Sequence, residues 1–123
     1  MRARVKEILW IGSSRKDLRA FPRQVRKDMG SALYAAQRGE TDPAAKPLKG
    51  FGGTEVMEIV ERYRTDTYRA VYAARLKNAV YVLHVFQKKA KKGRATPKQE
   101  LDLIRRRLAE AKRHYRGRRT RKV

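Results

Sequence analysis

The sequence predicts an α+β domain with the element order β-α(α)-β-β-β-α, an antiparallel meander packed against N-terminal helices and a C-terminal helix. Three observations predict it. Apolar residues recur at helical spacing in two separate stretches, one in each terminal part of the chain. Three runs rich in β-branched and aromatic residues, divided by short turns, fill the middle. A Pro- and Gly-rich stretch separates the first helical pattern from the strands. At 123 residues the chain has room for one compact domain.

The first element is a short strand in the apolar run Lys6–Ile11 (KEILWI), ended by Gly12-Ser13-Ser14. Ser14, with Asp17 three residues on, has the form of a helix N-cap, so a short helix is expected over residues 14–20. Pro22 suits a first helical position. Val25, Met29, Leu33 and Ala36 then recur on one face, and Gly39 supplies a stop, which predicts a helix over residues 22–38. Residues 39–53 read as a loop.

The meander comes next. Glu55–Tyr63 alternates in part and ends at the turn Thr65-Asp66, and Thr67–Leu76 ends at Lys77-Asn78. Ala79–Gln87 is nearly all apolar and reads as a strand covered on both faces. Spacers this short join antiparallel neighbours. After the charged loop Lys88–Ala95, Thr96-Pro97-Lys98-Gln99 sets Thr at an N-cap and Pro at N1. Leu101, Ile104, Leu108, Ala111 and Tyr115 form the apolar stripe of the last helix. The domain is thus drawn over residues 1–115, with 116–123 as a basic flexible tail.

Charge narrows the partner class. The chain holds 33 Lys+Arg against 12 Asp+Glu, a formal net charge of +21, far above the magnitude of about 2–8 usual for a small domain. Residues 1–30 contribute +6, residues 31–83 only +2, and residues 84–123 +13. A gradient of this kind points to a polyanion, nucleic acid before an acidic membrane. Cys is absent, which excludes disulfides and thiolate metal sites. No metal or cofactor is expected. No apolar run approaches a membrane span and the first residues lack a signal-peptide core, so a cytoplasmic, membrane-independent protein is expected.

Five words in order carry a family resemblance: KPLKGFGG at Lys46–Gly53, MEI at Met57–Ile59, ERYRTDTYRAVYA at Glu61–Ala73, VLHVFQKK at Val82–Lys89 and TPKQE at Thr96–Glu100. Together they resemble the RelE/HigB superfamily of toxins, in its phage-derived HigB-like branch. The resemblance implies a small RelE-like domain and the toxin role in a type II toxin–antitoxin pair. It also implies metal-free cleavage of messenger RNA on the ribosome and silencing by a helix-turn-helix antitoxin. The superfamily also contains gyrase inhibitors that cleave no RNA, so fold alone does not decide activity.

Metal-free RNA cleavage needs help for the attacking 2′-hydroxyl, cations around the phosphorane and a proton for the 5′-oxygen. Arg69 matches the superfamily's strand Arg, which by resemblance grips the scissile phosphate, and a guanidinium on a rigid strand suits that task. Its alternative is a solvated sheet position. Glu58 and Glu61 are candidate bases, or simple ion-pair partners. His84 titrates in the right range, yet a lone His in an apolar run also reads as a hydrogen-bonded core residue. Alternation puts His84, Phe86 and Lys88 on one face and Lys89 on the other, which makes Lys88 the lysine to steady the transition state.

Arg62 and Arg64 flank the first hairpin and could reach RNA, Arg62 matching the family position better. Lys91, Lys92 and Arg94, with Lys89, form a cationic lip for the RNA backbone. Tyr63, Tyr68, Tyr72 and Tyr81 could stack a base if exposed, and Tyr115 and His114 are terminal candidates. Arg105–Arg107 and Lys112–Lys122 read as an anchor for ribosomal RNA, giving salt-sensitive affinity without sequence choice. The composition is equally that of a non-catalytic ribosome-binding or phage-derived protein.

Overall fold

A computed structural model describes residues 5–53, 55–89 and 96–121. In chain order its elements are β1 (Glu7–Trp10), α1 (Ser14–Arg19), α2 (Arg23–Gln37), β2 (Ala45–Pro47), β3 (Val56–Tyr63), β4 (Asp66–Ala73), β5 (Ala79–Lys89) and α3 (Lys98–Arg121). They form a five-stranded sheet in the order β1-β5-β4-β3-β2. The meander β3-β4-β5 is antiparallel throughout, while β1 joins β5 in parallel and β2 closes the other edge antiparallel to β3. The α+β class and element order follow the sequence reading. The sheet is mixed and wider than a three-strand meander.

The additions have local causes. β2 lies inside residues 39–53, read as a loop because Pro and Gly dominate it. Three residues pair with Met57, Glu58 and Ile59 at a sheet edge, where Pro47 is tolerated. β4 ends at Ala73 rather than Leu76, and β5 runs two residues past Gln87 to Lys89. Ser13, not Ser14, stands at the start of α1 and donates to Asp17 Oδ2 at 2.8 Å. Ser14 turns inward and donates to the Val82 carbonyl at 3.1 Å.

Each sheet face has its own core. α2 lays Val25, Met29, Leu33 and Ala36 against Ile59, Ala70, Tyr72, Val82 and Val85. α3 lays Ile104, Leu108 and Ala111 against Val71, Tyr81 and Leu83, with Leu48 and Phe51 closing the edge. The expected stripes of α2 and α3 are therefore the buried ones. A fully buried aliphatic side chain such as Ile104 contributes about 1.5–3 kcal/mol by transfer.

α3 continues to Arg121, through residues that the sequence reads as a basic tail. Gly117 inside it costs about 1 kcal/mol relative to Ala. Tertiary contacts offset this: Arg118 pairs with Glu7 at 2.6 Å, and Tyr115 Oη accepts from the Lys77 amide at 3.2 Å. No helix among the described residues is long and apolar enough to cross a membrane.

Candidate functional site

Strand register decides which side chains meet, with one backbone irregularity at its end. β4 and β5 pair in step from Asp66↔Lys89 to Val71↔His84, and then Tyr72 pairs with Val82, so Leu83 is passed over. This bulge gives β5 an extra residue and shifts the phase of its alternation. Val80 and Val82 face α2, Tyr81 and Leu83 face α3, and His84 follows Leu83 onto the α3 side with Phe86. Directly opposite residues share a face, so Arg62, Thr67 and Lys88 form one row and Val60, Arg69 and Phe86 the next. Glu58, Val71 and His84 form a third.

At the base of this face Arg69 Nη1 donates to Glu58 Oε2 at 2.8 Å, with both side chains at most 5% exposed. Thr96 Oγ1 donates to the same oxygen at 2.9 Å. Thr96 was expected as the N-cap of the last helix. The helix instead begins at Lys98, the Pro97 carbonyl accepts the Leu101 amide at 3.0 Å, and the hydroxyl serves the carboxylate. A buried ion pair is stabilising only with such additional hydrogen bonds, since desolvating two charges costs several kcal/mol per ion.

The next group is His84. Its Nε2 lies 2.5 Å from Glu100 Oε1, and its Nδ1 lies 3.4 Å from Arg107 Nη1. Arg107 also donates to the Leu83 carbonyl at 2.9 Å, at the bulge. The His84 ring stacks on Phe86 at 4.8 Å between centroids. Arg107 always donates, so this arrangement suits a neutral ring that carries its proton on Nε2 toward Glu100. The guanidinium lies over the turn between β1 and α1. Gly12 sits there at φ 58°, and a Cβ on it would come within 2.8 Å of Arg107 Cζ. The turn thus needs glycine for both its backbone and this approach.

Glu58, Arg69, His84 and Lys88 thus lie on one face, with Arg62 exposed at its margin. Arg64 is in the hairpin turn at φ 57°, its guanidinium 5.3 Å from the Tyr63 ring centre, and is exposed. Lys89 pairs in register with Asp66, out of phase with Lys88. Lys91, Lys92 and Arg94 lie outside the described residues. Glu61 pairs with Tyr68 on the α2 side, away from the other candidates. Partial burial, then Asp28 and Asp42, push its carboxyl above the ordinary range. Tyr68, Tyr72 and Tyr81 are core residues and give no stacking surface. Burial drives the Tyr72 hydroxyl up to about 12. His114 and Tyr115 lie toward the other end of β5, where His114 Nδ1 meets Tyr81 Oη at 2.6 Å.

Thr96, Glu100 and Arg107 were not among the candidate catalytic residues; Thr96 read as a helix cap and Arg107 as part of an RNA anchor. Their spacing was a usable signal, because positions 96, 100 and 107 share one side of a helix, beside the apolar stripe. Several α3 cations read as an RNA anchor are instead engaged within the fold. Lys112 pairs with Glu55 at 2.6 Å and Arg118 with Glu7, while Arg105 lies 3.7 Å from Asp102 and 5.0 Å from the Phe51 ring centre.

The solved structure of the RelBE2 toxin–antitoxin complex from Mycobacterium tuberculosis contains a similar chain. It has 17% identity and a TM-score of 0.46, over 72% of this chain and 98% of that one. No curated protein matches the sequence. The family described as phage-derived protein Gp49-like (DUF891) matches residues 16–109. That span runs from α1 into α3 and includes the Arg69 and His84 clusters, and the chain belongs to the Gp49-like family.

Proposed function

We propose that this protein is the toxin of a type II toxin–antitoxin pair and cleaves messenger RNA on the ribosome by metal-free 2′-hydroxyl attack. The observation that carries the reading is His84 held between Glu100 and Arg107 on the sheet face that also bears Arg69 and Lys88. A titratable imidazole, oriented by a carboxylate and ringed by fixed cations, is the equipment phosphate transesterification requires.

In this reading Arg69 supplies positive charge beneath the scissile phosphate from its buried pair with Glu58, whose carboxylate Thr96 also holds. Glu100 orients His84, whose Nδ1 gives up its long 3.4 Å contact with Arg107 and takes the 2′-hydroxyl proton as the 2′-oxygen bonds to phosphorus. The bond from phosphorus to the 5′-oxygen breaks, and the protonated imidazole returns the proton to that oxygen. Lys88 and Arg107 offset the charge on the phosphorane. The products are a 2′,3′-cyclic phosphate and a 5′-hydroxyl. A helix-turn-helix antitoxin, implied by the sequence resemblance, is the silencing partner.

The test is purified protein in a cell-free translation reaction, with message 5′ ends mapped. Cuts within codons that appear only with ribosomes, and disappear in His84→Ala, are expected. Intact message overturns the reading. Intact message with stalled replication in cells would indicate gyrase inhibition, and no effect on either a binding protein.

A further inference from the structure

The cations of α3 are substantially paired, and those of α1 and α2 are not. Arg15, Lys16 and Arg19 on α1 and Arg23, Arg26 and Lys27 on α2 are all exposed. None of the six makes an ion pair or side-chain hydrogen bond among the described residues. Two acids lie among them, and both take neutral partners. Asp17 accepts from Ser13 at 2.8 Å, and Asp28 accepts from Gln24 at 3.1 and 3.2 Å. Arg15 and Arg19, like Arg23 and Lys27, are four residues apart and so stand one above the other on a helix. Like charges in that relation repel, and the fold leaves the repulsion uncompensated.

We propose that this α1–α2 surface is a second polyanion-binding site that takes the phosphate backbone of duplex RNA. Four of the six cations are Arg, whose planar fork matches phosphate oxygens. No exposed aromatic residue occurs between Arg15 and Lys27, and Phe21 is turned edge-on to Tyr68 in the core at 4.7 Å. The one exposed aromatic further along α2, Tyr34, is covered by the Arg38 guanidinium at 5.0 Å, so contact is chiefly to phosphates, which suits a duplex better than an unstacked strand. The apolar faces of both helices are spent on the sheet through Leu18, Val25 and Met29, so neither has the apolar side an interfacial membrane helix requires. The helices cover the sheet face opposite to His84 and Arg69, so the duplex held here is separate from any strand at that site. The surface shares RNA as a partner with the proposed function, but it does not depend on cleavage.

The experiment is anisotropy titration of a labelled 2′-O-methyl RNA hairpin, which has no free 2′-hydroxyl and so resists this kind of cleavage. Titrations run from 50 to 300 mM salt, at concentrations chosen as roughly the range where phosphate contacts dominate. The combined Arg15→Gln, Arg19→Gln, Arg23→Gln and Lys27→Gln variant is compared with Arg106→Gln/Arg113→Gln on α3. Circular dichroism and melting verify that each is folded. The α1–α2 variant should lower the salt slope by about 3 and weaken binding about 10- to 100-fold at 150 mM salt. The α3 variant should lower the slope by less than about 2. An unchanged slope in the α1–α2 variant overturns the proposal. So does preferential binding of the parent protein to phosphatidylserine vesicles over the hairpin.

Discussion

Glu100 on α3 reaches across to β5 and sets its carboxylate oxygen 2.5 Å from Nε2 of His84. The two residues are sixteen apart in sequence and belong to different elements. Their contact turns an imidazole in an apolar strand into an oriented group, with the second ring nitrogen facing Arg107. If His84 transfers the proton, Glu100→Gln should reduce message cleavage about 10-fold or more, and His84→Ala about 10²- to 10⁴-fold. Initial rates of 5′-end appearance in the translation reaction check this. Equal rates in parent and His84→Ala protein would remove His84 from the mechanism.

Arg69 has a structural task whatever its role toward RNA. Arg69→Ala leaves Glu58 buried without its cation, a loss of about 3–5 kcal/mol. Combined Arg69→Met/Glu58→Leu should recover most of that stability in urea unfolding while remaining non-toxic in cells. A toxic double variant would show that the Arg69 charge does not serve the phosphate.

Gly12 and Arg107 are coupled by close approach. Gly12→Ala should destabilise by about 1–2 kcal/mol through the positive φ alone, with a further cost from the displaced guanidinium. In an Arg107→Ala background the second part should vanish, and a double-mutant cycle in urea isolates it. Strict additivity would mean that the two groups do not interact.

Glu61 offers a test by pH. Its carboxyl is raised in the folded chain, so the native state keeps a proton that the unfolded state has already released. Stability is then greatest below the ordinary value of 4.5, falls as pH rises through the raised value, and is flat above it. Glu61→Gln should therefore melt higher than the parent at pH 7, and the gap should close below pH 4 (roughly the unperturbed value). A gap independent of pH would point to packing instead.

Tyr72 sets the alkaline limit. With its hydroxyl at about 12 when folded, against 10.0 ordinarily, stability should hold up to pH 10.0 and decline toward 12 as the unfolded chain ionises first. The loss from this group is about 2–3 kcal/mol. Tyr72→Phe should flatten the decline in urea midpoints. Burial also raises Tyr68 and Tyr81, so part of the slope persists.

Much of this was legible because it is local. Helical spacing marked Val25, Met29 and Leu33 as well as Ile104 and Leu108, and all five pack where the pattern puts them. Short spacers forced the meander, although the first turn is Arg64-Thr65, one residue before the expected Thr65-Asp66. β2 escaped notice because three residues with a Pro have almost no strand signal, and their pairing depends on the exposed edge of β3. The last turns of α3 escaped because Arg118 is held by Glu7, at the far end of the chain.

The charge was legible as a total, but which cations are paired was not. By segment, residues 84–123 look like the anchor, but folding brings Glu55 and Glu7 to Lys112 and Arg118 while Asp17 and Asp28 stay with neutral neighbours. The sequence by itself determined the α+β class, the order of the elements apart from β2, the apolar stripes and the candidate residues Arg69, His84 and Lys88. Each depends on composition or on periodicity within one element. Only the tertiary structure decided that Arg69 pairs with Phe86 and Val71 with His84, so that His84 shares a face with Arg69, that Leu83 bulges beside them, and that Thr96, Glu100 and Arg107 close over the face. Those outcomes depend on the register between strands and on the seating of a distant helix, and a backbone step of one residue reverses them.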